Sequence, residues 1–305
     1  MPDGQSLPSW NDSAAKSAIL DLVARVTKQG SAEFVPPAGR IATFDNDGTL
    51  WCEQPLQIQF FFAFDRVKQL SSKDPTMSER QPFKAVLEND YGTLFGLGKQ
   101  ALFELAFATH AGMTDEDFEQ AASGWLATAR HPKFGRLFKE CTYRPQVELL
   151  AYLRDNGFKT YIVSAGGVDF MRAFVEDAYG VPREQVIGSS VKLRFDAGGD
   201  RVSLSKLSEL NIFNDRETKP LSIGLHIGRR PLLAFGNSDG DLAMLRYARS
   251  GPGPRLALLL RHDDAEREAA YDREFRLSPL SEALDKAQDY GITVVSMKRD
   301  WKVVF

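Results

Sequence analysis

Two acids two residues apart, Asp45 and Asp47, follow the short apolar run Ile41-Ala42-Thr43-Phe44 and precede Gly48-Thr49. Acids spaced this way on an extended loop can divide the labour of phosphoryl transfer. One carboxylate attacks phosphorus. The other, kept partly protonated, gives a proton to the departing oxygen and later activates water. A carboxylate approaches a phosphate only when both negative charges are offset, which calls for a divalent cation and a lysine. Later segments carry suitable partners. Ser164-Ala165-Gly166-Gly167 offers a hydroxyl and backbone N–H groups for nonbridging oxygens. Lys219 stands before Pro220, a residue suited to a first helical position. Asp45, the backbone carbonyl of Asp47, Asn237 and Asp241 make a hard, all-oxygen donor set that suits Mg2+ and its retained waters. Asp239 competes in the same loop and ranks below Asp241, and Lys206 is a rival for Lys219.

These groups act together only if the chain delivers them to one place. Ile41–Phe44 reads as a buried strand running into a tight loop. Further strands are expected at 158–163, 185–188, 232–235, 256–260 and 293–297, with a hairpin-like stretch turning near Ala197-Gly198-Gly199-Asp200. Apolar residues at helical spacing predict helices over 12–28, 145–155 and 168–178. Strands alternating with helices predict an α/β fold, a Rossmann-like parallel sheet with helices on both faces. In such sheets ligands bind beyond the carboxyl ends of the strands, where the candidate residues fall. The texture changes between residues 56 and 140. Eleven of the 21 Phe lie there among Leu and Ala at helical intervals, enough for a helical core of its own. The expected organisation is an α/β core over 1–55 and 141–305, interrupted after its first strand by a helical insertion over 56–140.

Composition narrows the partners. The chain has 305 residues, and 38 Lys plus Arg against 41 Asp plus Glu leave a net charge of −3. No basic face is expected for nucleic acid or an anionic membrane. Cys52 and Cys141 are too few for a disulfide framework, and no Cys/His spacing resembles a zinc site. No apolar run approaches the roughly 18 residues of a membrane span. Met1 to Ser6 lacks the pattern of a secretory signal, so the expected compartment is the cytoplasm as written, or the periplasm if a leader has been removed. Oligomeric state is left open.

The segments together resemble a known family. Phe44-Asp45-Asn46-Asp47-Gly48-Thr49-Leu50 looks like the first motif of the haloacid dehalogenase superfamily of phosphohydrolases. Val163-Ser164-Ala165-Gly166-Gly167 resembles its second motif in the phosphoserine-phosphatase-like form. Lys219 matches the third, and Gly236 through Asp241 resembles the fourth. The resemblance implies that Asp45 is the nucleophile, forming an aspartyl-phosphate, and that Asp47 is the general acid/base. It implies that Asn46, Ser164, Ala165 and Lys219 hold phosphate, and that Asn237 and Asp241 complete a magnesium site with Asp45 and Asp47. It further implies that the insertion is a cap that selects a small phosphorylated metabolite, with Glu53 placed to contact substrate. One departure stands out: the fourth motif commonly begins Gly-Asp, and this chain has Gly236-Asn237. A neutral amide still offers an oxygen, but it removes one negative charge and predicts weaker magnesium binding. Transfer of the phosphoryl group to an acceptor other than water, or a binding protein without turnover, are the alternatives. His262-Asp263-Asp264 reads as a solvated helix cap and Cys52 has no assigned role.

Overall fold

The computed structural model describes residues 6–198 and 201–305. Its eight strands are β1 (Ile41–Phe44), β2 (Lys159–Gly167), β3 (Val186–Gly198), β4 (Arg201–Ile212), β5 (Leu233–Gly236), β6 (Leu256–Asp263), β7 (Ala270–Tyr271) and β8 (Thr293–Ser296). They form one sheet in the order β4-β3-β2-β1-β5-β6-β7, with β8 also paired to β6. The strands around β1 run parallel, whereas β4 on β3 and β7 on β6 are antiparallel. β1 and β5 are buried at every position, which is why they read as continuous apolar runs rather than alternating ones. The α/β expectation therefore holds.

Register is what matters for the site. Phe44 at the end of β1 lies opposite Ile162 on β2 and Phe235 on β5. Three strands thus finish at one level, and the next residues, Asp45, Val163-Ser164 and Gly236-Asn237, emerge along one edge. The β2 pairing to β3 slips between Val163 and Gly167, so Ser164 to Gly166 leave the regular ladder just where the loop begins.

Helices cover the sheet. Ala14–Thr27 starts from Ser13, whose side chain accepts from Lys16 N–H, and buries Ile19, Leu22, Val23 and Val26. Arg144–Asp155 buries Leu149, Leu150 and Leu153, and Gly157 follows it with a φ of +75°. The helix expected over 168–178 is two short ones, Val168–Arg172 and Val175–Tyr179. Phe174 breaks the run, and its ring stacks on Trp51 with centroids 4.3 Å apart. A side-chain contact has overridden helical spacing there. Gly199 and Asp200 of the expected turn lie outside the described residues.

The Phe-rich segment after β1 forms helices Ile58–Ser71, Phe83–Leu87, Tyr91–Gly96, Gly98–Ala108 and Asp115–Leu126. Its apolar residues divide between two clusters. Phe62, Phe118 and Phe138 pack with Trp51 and Phe170 of the sheet layer. Phe60, Phe64, Phe103 and Phe107 gather with Val191 of β3 and with Leu277. Each such ring buried contributes roughly 1.5–3 kcal/mol relative to exposure. Trp51 and Thr142 form an antiparallel bridge, and Cys52 N–H donates to Cys141 O at 3.1 Å, so the segment leaves and returns side by side. A second tie lies on the hairpin of β3 and β4. The Lys206 ammonium, fully buried, sits 2.6 Å from Asp115 Oδ1 and 2.5 Å from Asp169 Oδ2. Lys206 is thereby occupied away from Asp45. Among the described residues no helix is long and apolar enough to cross a membrane.

Candidate active site

Asp45 and Asp241 meet at one lysine. Lys219 lies in the first turn of helix Thr218–His226, and its ammonium is 2.7 Å from Asp45 Oδ1 and 2.6 Å from Asp241 Oδ1. All three are buried. The other oxygen of Asp241 accepts from the backbone N–H groups of Asn237 and Ser238, which locks the loop after β5 around it. Burial pushes the Asp45 carboxyl up to about 7. The Asp241 charge adds to that rise and Lys219 opposes it. Burial also works against the charged form of Lys219, but Asp241 and Asp45 outweigh it and hold the ammonium above the ordinary lysine range.

Asp47 is half-buried at the same rim. Its Oδ1 accepts from Trp51 Nε1 at 2.8 Å, which fixes the carboxylate plane. A methyl group built on Gly166 would lie 3.4 Å from Asp47 Oδ2 and 3.5 Å from Ser164 Oγ, so both oxygens converge on the same patch of the second loop. Ser164 Oγ accepts from Gly166 N–H at 3.2 Å, and its own proton remains for a ligand. Asn214 Nδ2 donates to Ser164 O, Ser189 Oγ to Ala165 O, and Gly167 N–H to Gln59 Oε1, holding that loop from three sides. The Asn46 side chain is turned away, accepting from the Tyr179 hydroxyl at 3.1 Å.

Glu53 and Asn237 form a second layer. Asn237 Oδ1 accepts from Thr49 Oγ1 at 3.0 Å, and Asn237 Nδ2 donates to Glu53 Oε1 at 2.7 Å. Glu53 is fully buried, accepts also from the Tyr271 hydroxyl and from Gln57 Nε2, and is pushed up to about 7 by burial. Gly48 makes this contact possible. Its φ is +73°, and a Cβ there would fall 2.1 Å from Asn237 Nδ2 and 2.4 Å from Glu53 Oε1. His262 is a correction to the solvated-cap expectation. It is buried at the end of β6, with Nε2 2.7 Å from Gly48 O and Nδ1 3.3 Å from Glu268. A strand-end His-Asp-Asp looks like surface, but its partner carbonyl lies across the sheet in the first loop.

A pocket brings the predicted Asp45, Asp47, Ser164, Ala165 and Lys219 together. Asn237, Asp241 and Glu53 are not among the lining residues; Asp241 touches Lys219 and Glu53 touches Gln57. The pocket is also lined by Gln57, Phe103, Asp215, Ser238 and Ser278, none of which the spacing singles out as ligands. Only Ser238 and Asp215 carry a usable signal, as neighbours of the fourth segment and of Lys219. Ser278 lies far along the chain with no pattern around it. The cavity measures about 20 Å³, room for about one water molecule. Phe103 and Gln57 line it from the helical segment.

Comparison with known proteins matches the chain to one family. A sequence model described as haloacid dehalogenase-like hydrolase fits residues 42–246. No curated protein matches the chain. Among solved structures, a conserved protein of unknown function from Anaerococcus prevotii DSM 20548 is similar with a TM-score of 0.57 and 17% identity, over 92% of this chain and 91% of that one. A protein of unknown function from Bordetella pertussis Tohama I gives 0.54 and 16%, over 84% of this chain and 97% of that one. Likenesses at these identities show a common fold. The family model runs from Ala42 to Arg246, over β1 to β5 and the segments that carry Asp45, Ser164, Lys219 and Asp241; the chain belongs to the haloacid dehalogenase-like hydrolases.

Proposed function

We propose that the protein is a phosphomonoester hydrolase of the phosphoserine-phosphatase-like branch, acting on a small phosphorylated metabolite through an aspartyl-phosphate on Asp45. The observation that carries the reading is the convergence of Asp45, Asp47, Ser164 and Lys219 on one pocket at the carboxyl edge of the sheet. Asp45 attacks phosphorus. Asp47, its plane set by Trp51, gives a proton to the leaving oxygen and then takes one from the water that releases phosphate. Ser164 Oγ, the Ala165 backbone, the Asn46 backbone and Lys219 hold the nonbridging oxygens. Lys219 already neutralises much of the charge that an incoming phosphate meets.

The donor set suits magnesium. Among the described residues no three His, Cys, Asp or Glu side chains gather into a metal cage, so a cation here relies on carboxylate, amide and carbonyl oxygens with waters completing it. Asp45, the Asp47 carbonyl, Asn237 and Asp241 are the residues that would hold it. Asp45 and Asp241 share the one ammonium of Lys219, so a cation would offset the carboxylate charge that the lysine does not. Bound there, the ion would screen the attacking carboxylate from the phosphate. The direct test is release of phosphate from an aryl phosphate. Turnover is expected with Mg2+ and a loss of at least about tenfold in excess chelator. Equal rates with and without chelator would remove the metal from the reading.

Asn237 yields a sharper expectation than its charge alone. Because its Nδ2 donates to buried Glu53, Asn237→Asp sets two buried carboxylates against each other. The metal-free variant is expected to melt lower than the wild type, with Mg2+ raising its melting temperature by the larger increment. Adding Glu53→Gln, which restores a donor to the pair, is expected to recover the metal-free loss. A magnesium titration of melting temperature on the three variants checks this, and an unchanged increment in Asn237→Asp would exclude position 237 as a ligand.

A further inference from the structure

One residue that lines the pocket carries an unused hydrogen-bond acceptor. Gln57 is 5% exposed and lies immediately before helix Ile58–Ser71. Its Nε2 donates to Glu53 Oε2 at 3.0 Å and to Ser278 Oγ at 2.9 Å, so both amide hydrogens are spent and the orientation of the amide is set by its partners. Its Oε1 is buried and has no partner. Of the unpartnered buried side-chain atoms among the described residues, it alone belongs to a residue lining this pocket. A buried acceptor left unpaired is costly, and where one persists at a site it points to a ligand that completes it. Phosphate at neutral pH has few protons to offer. The organic part of a substrate can supply that donor.

We propose that Gln57 is a specificity-determining residue, its Oε1 accepting a hydrogen bond from a hydroxyl or amino group carried close to the ester oxygen of a small phosphomonoester. This rests on the phosphohydrolase reading above. Several features of the pocket agree with it. Gln57 and Phe103 come from the helical segment, whereas Asp45, Asp47 and Lys219 come from the sheet loops, so selection and chemistry are contributed by different parts of the chain. Phe103 gives the opposite wall an apolar face, packed edge-on against Phe60 and Phe213 and fixed in place. Glu53, by contrast, spends its carboxylate on Asn237, Tyr271 and Gln57. It acts on substrate through Gln57, as a positioning residue.

A matched set of short esters tests the proposal: propyl phosphate, the same chain bearing a hydroxyl beside the ester carbon, and the same bearing an amine there. The wild-type protein is expected to favour one substituted ester over propyl phosphate by about tenfold or more in kcat/KM. Which of the two is favoured distinguishes hydroxyl from amine. Gln57→Leu is expected to bring that ratio to within about threefold of unity. Because that variant strips a donor from buried Glu53, Gln57→Asn is paired with it. The shorter amide draws the oxygen back by one methylene and is also expected to lower the ratio. Turnover of all three esters at equal kcat/KM, or a ratio unchanged by both variants, overturns the role of Gln57 while leaving the phosphohydrolase intact. No phosphate released from any ester, an aryl phosphate included, overturns both.

Discussion

Asp45→Asn is expected to abolish phosphate release while leaving the fold intact or firmer. The loss in kcat is expected to be on the order of 10³-fold or more, because on the proposed mechanism the substitution removes the attacking atom rather than a contact. Stability should move the other way. Asp45 and Asp241 share a single buried ammonium, so Asp45 is a desolvated charge beside a like charge. The amide is nearly isosteric and leaves Lys219 paired with Asp241, so the metal-free variant is expected to melt at or above the wild-type temperature. Activity on an aryl phosphate and a melting curve on the same preparation check both halves. Residual hydrolysis near the wild-type rate would sink the covalent mechanism. A large fall in melting temperature would instead mean that Asp45 is chiefly a structural partner of Lys219.

Lys219→Met is expected to damage both properties. It leaves two buried carboxylates facing each other with no cation between them, and removing one partner of a buried ion pair costs about 3–5 kcal/mol. That is a large share of the roughly 5–15 kcal/mol by which domains are stable. Denaturant unfolding gives the figure directly. A double substitution isolates its origin. If the cost is carboxylate repulsion, Lys219→Met with Asp45→Asn should be less destabilised than the two single effects summed, because Asp241 then faces an amide. Strict additivity would assign the cost to lost packing of the lysine stem. Phosphate release by Lys219→Met is expected to fall with stability, since nothing then offsets the negative rim that the incoming ester meets.

Part of this site is legible in the amino-acid sequence and part is not, and the division has physical causes. Asp45, Ser164 and Asp241 lie close after short apolar runs, and Lys219 opens the helix that leads into β5. Strand termini in a parallel sheet share an edge, so local pattern is enough to bring them together. The register of Phe44 with Ile162 and Phe235 is the structural form of that rule. Residues whose function depends on a distant partner leave no such mark. His262 looks like a polar strand end and is instead tied to the Gly48 carbonyl, more than two hundred positions earlier. Tyr271 and Ser278 reach Glu53 and Gln57 across a similar separation. Gln57 stands just before a helix, a place where its residue type carries no capping signal. Phe174 shows the opposite failure. The helical spacing around it is real, and its contact with Trp51 breaks the helix nonetheless.

The side-by-side exit and return at Cys52 and Cys141 has a consequence for how this protein can change over time. In polymer terms, everything from Glu53 to Glu140 is a loop whose ends are already closed by the sheet layer. Closing such a loop depends only on the logarithm of its length, so each doubling adds about 0.6 kcal/mol. The helices hung there can therefore lengthen, shrink or be exchanged at little cost in loop closure. Such exchanges must preserve a surface that covers Trp51 and Phe170, the Gln59 contact to Gly167 and the Asp115 contact to Lys206. On the proposed reading, the chemistry stays with the sheet edge while the choice of substrate rests with the helical segment.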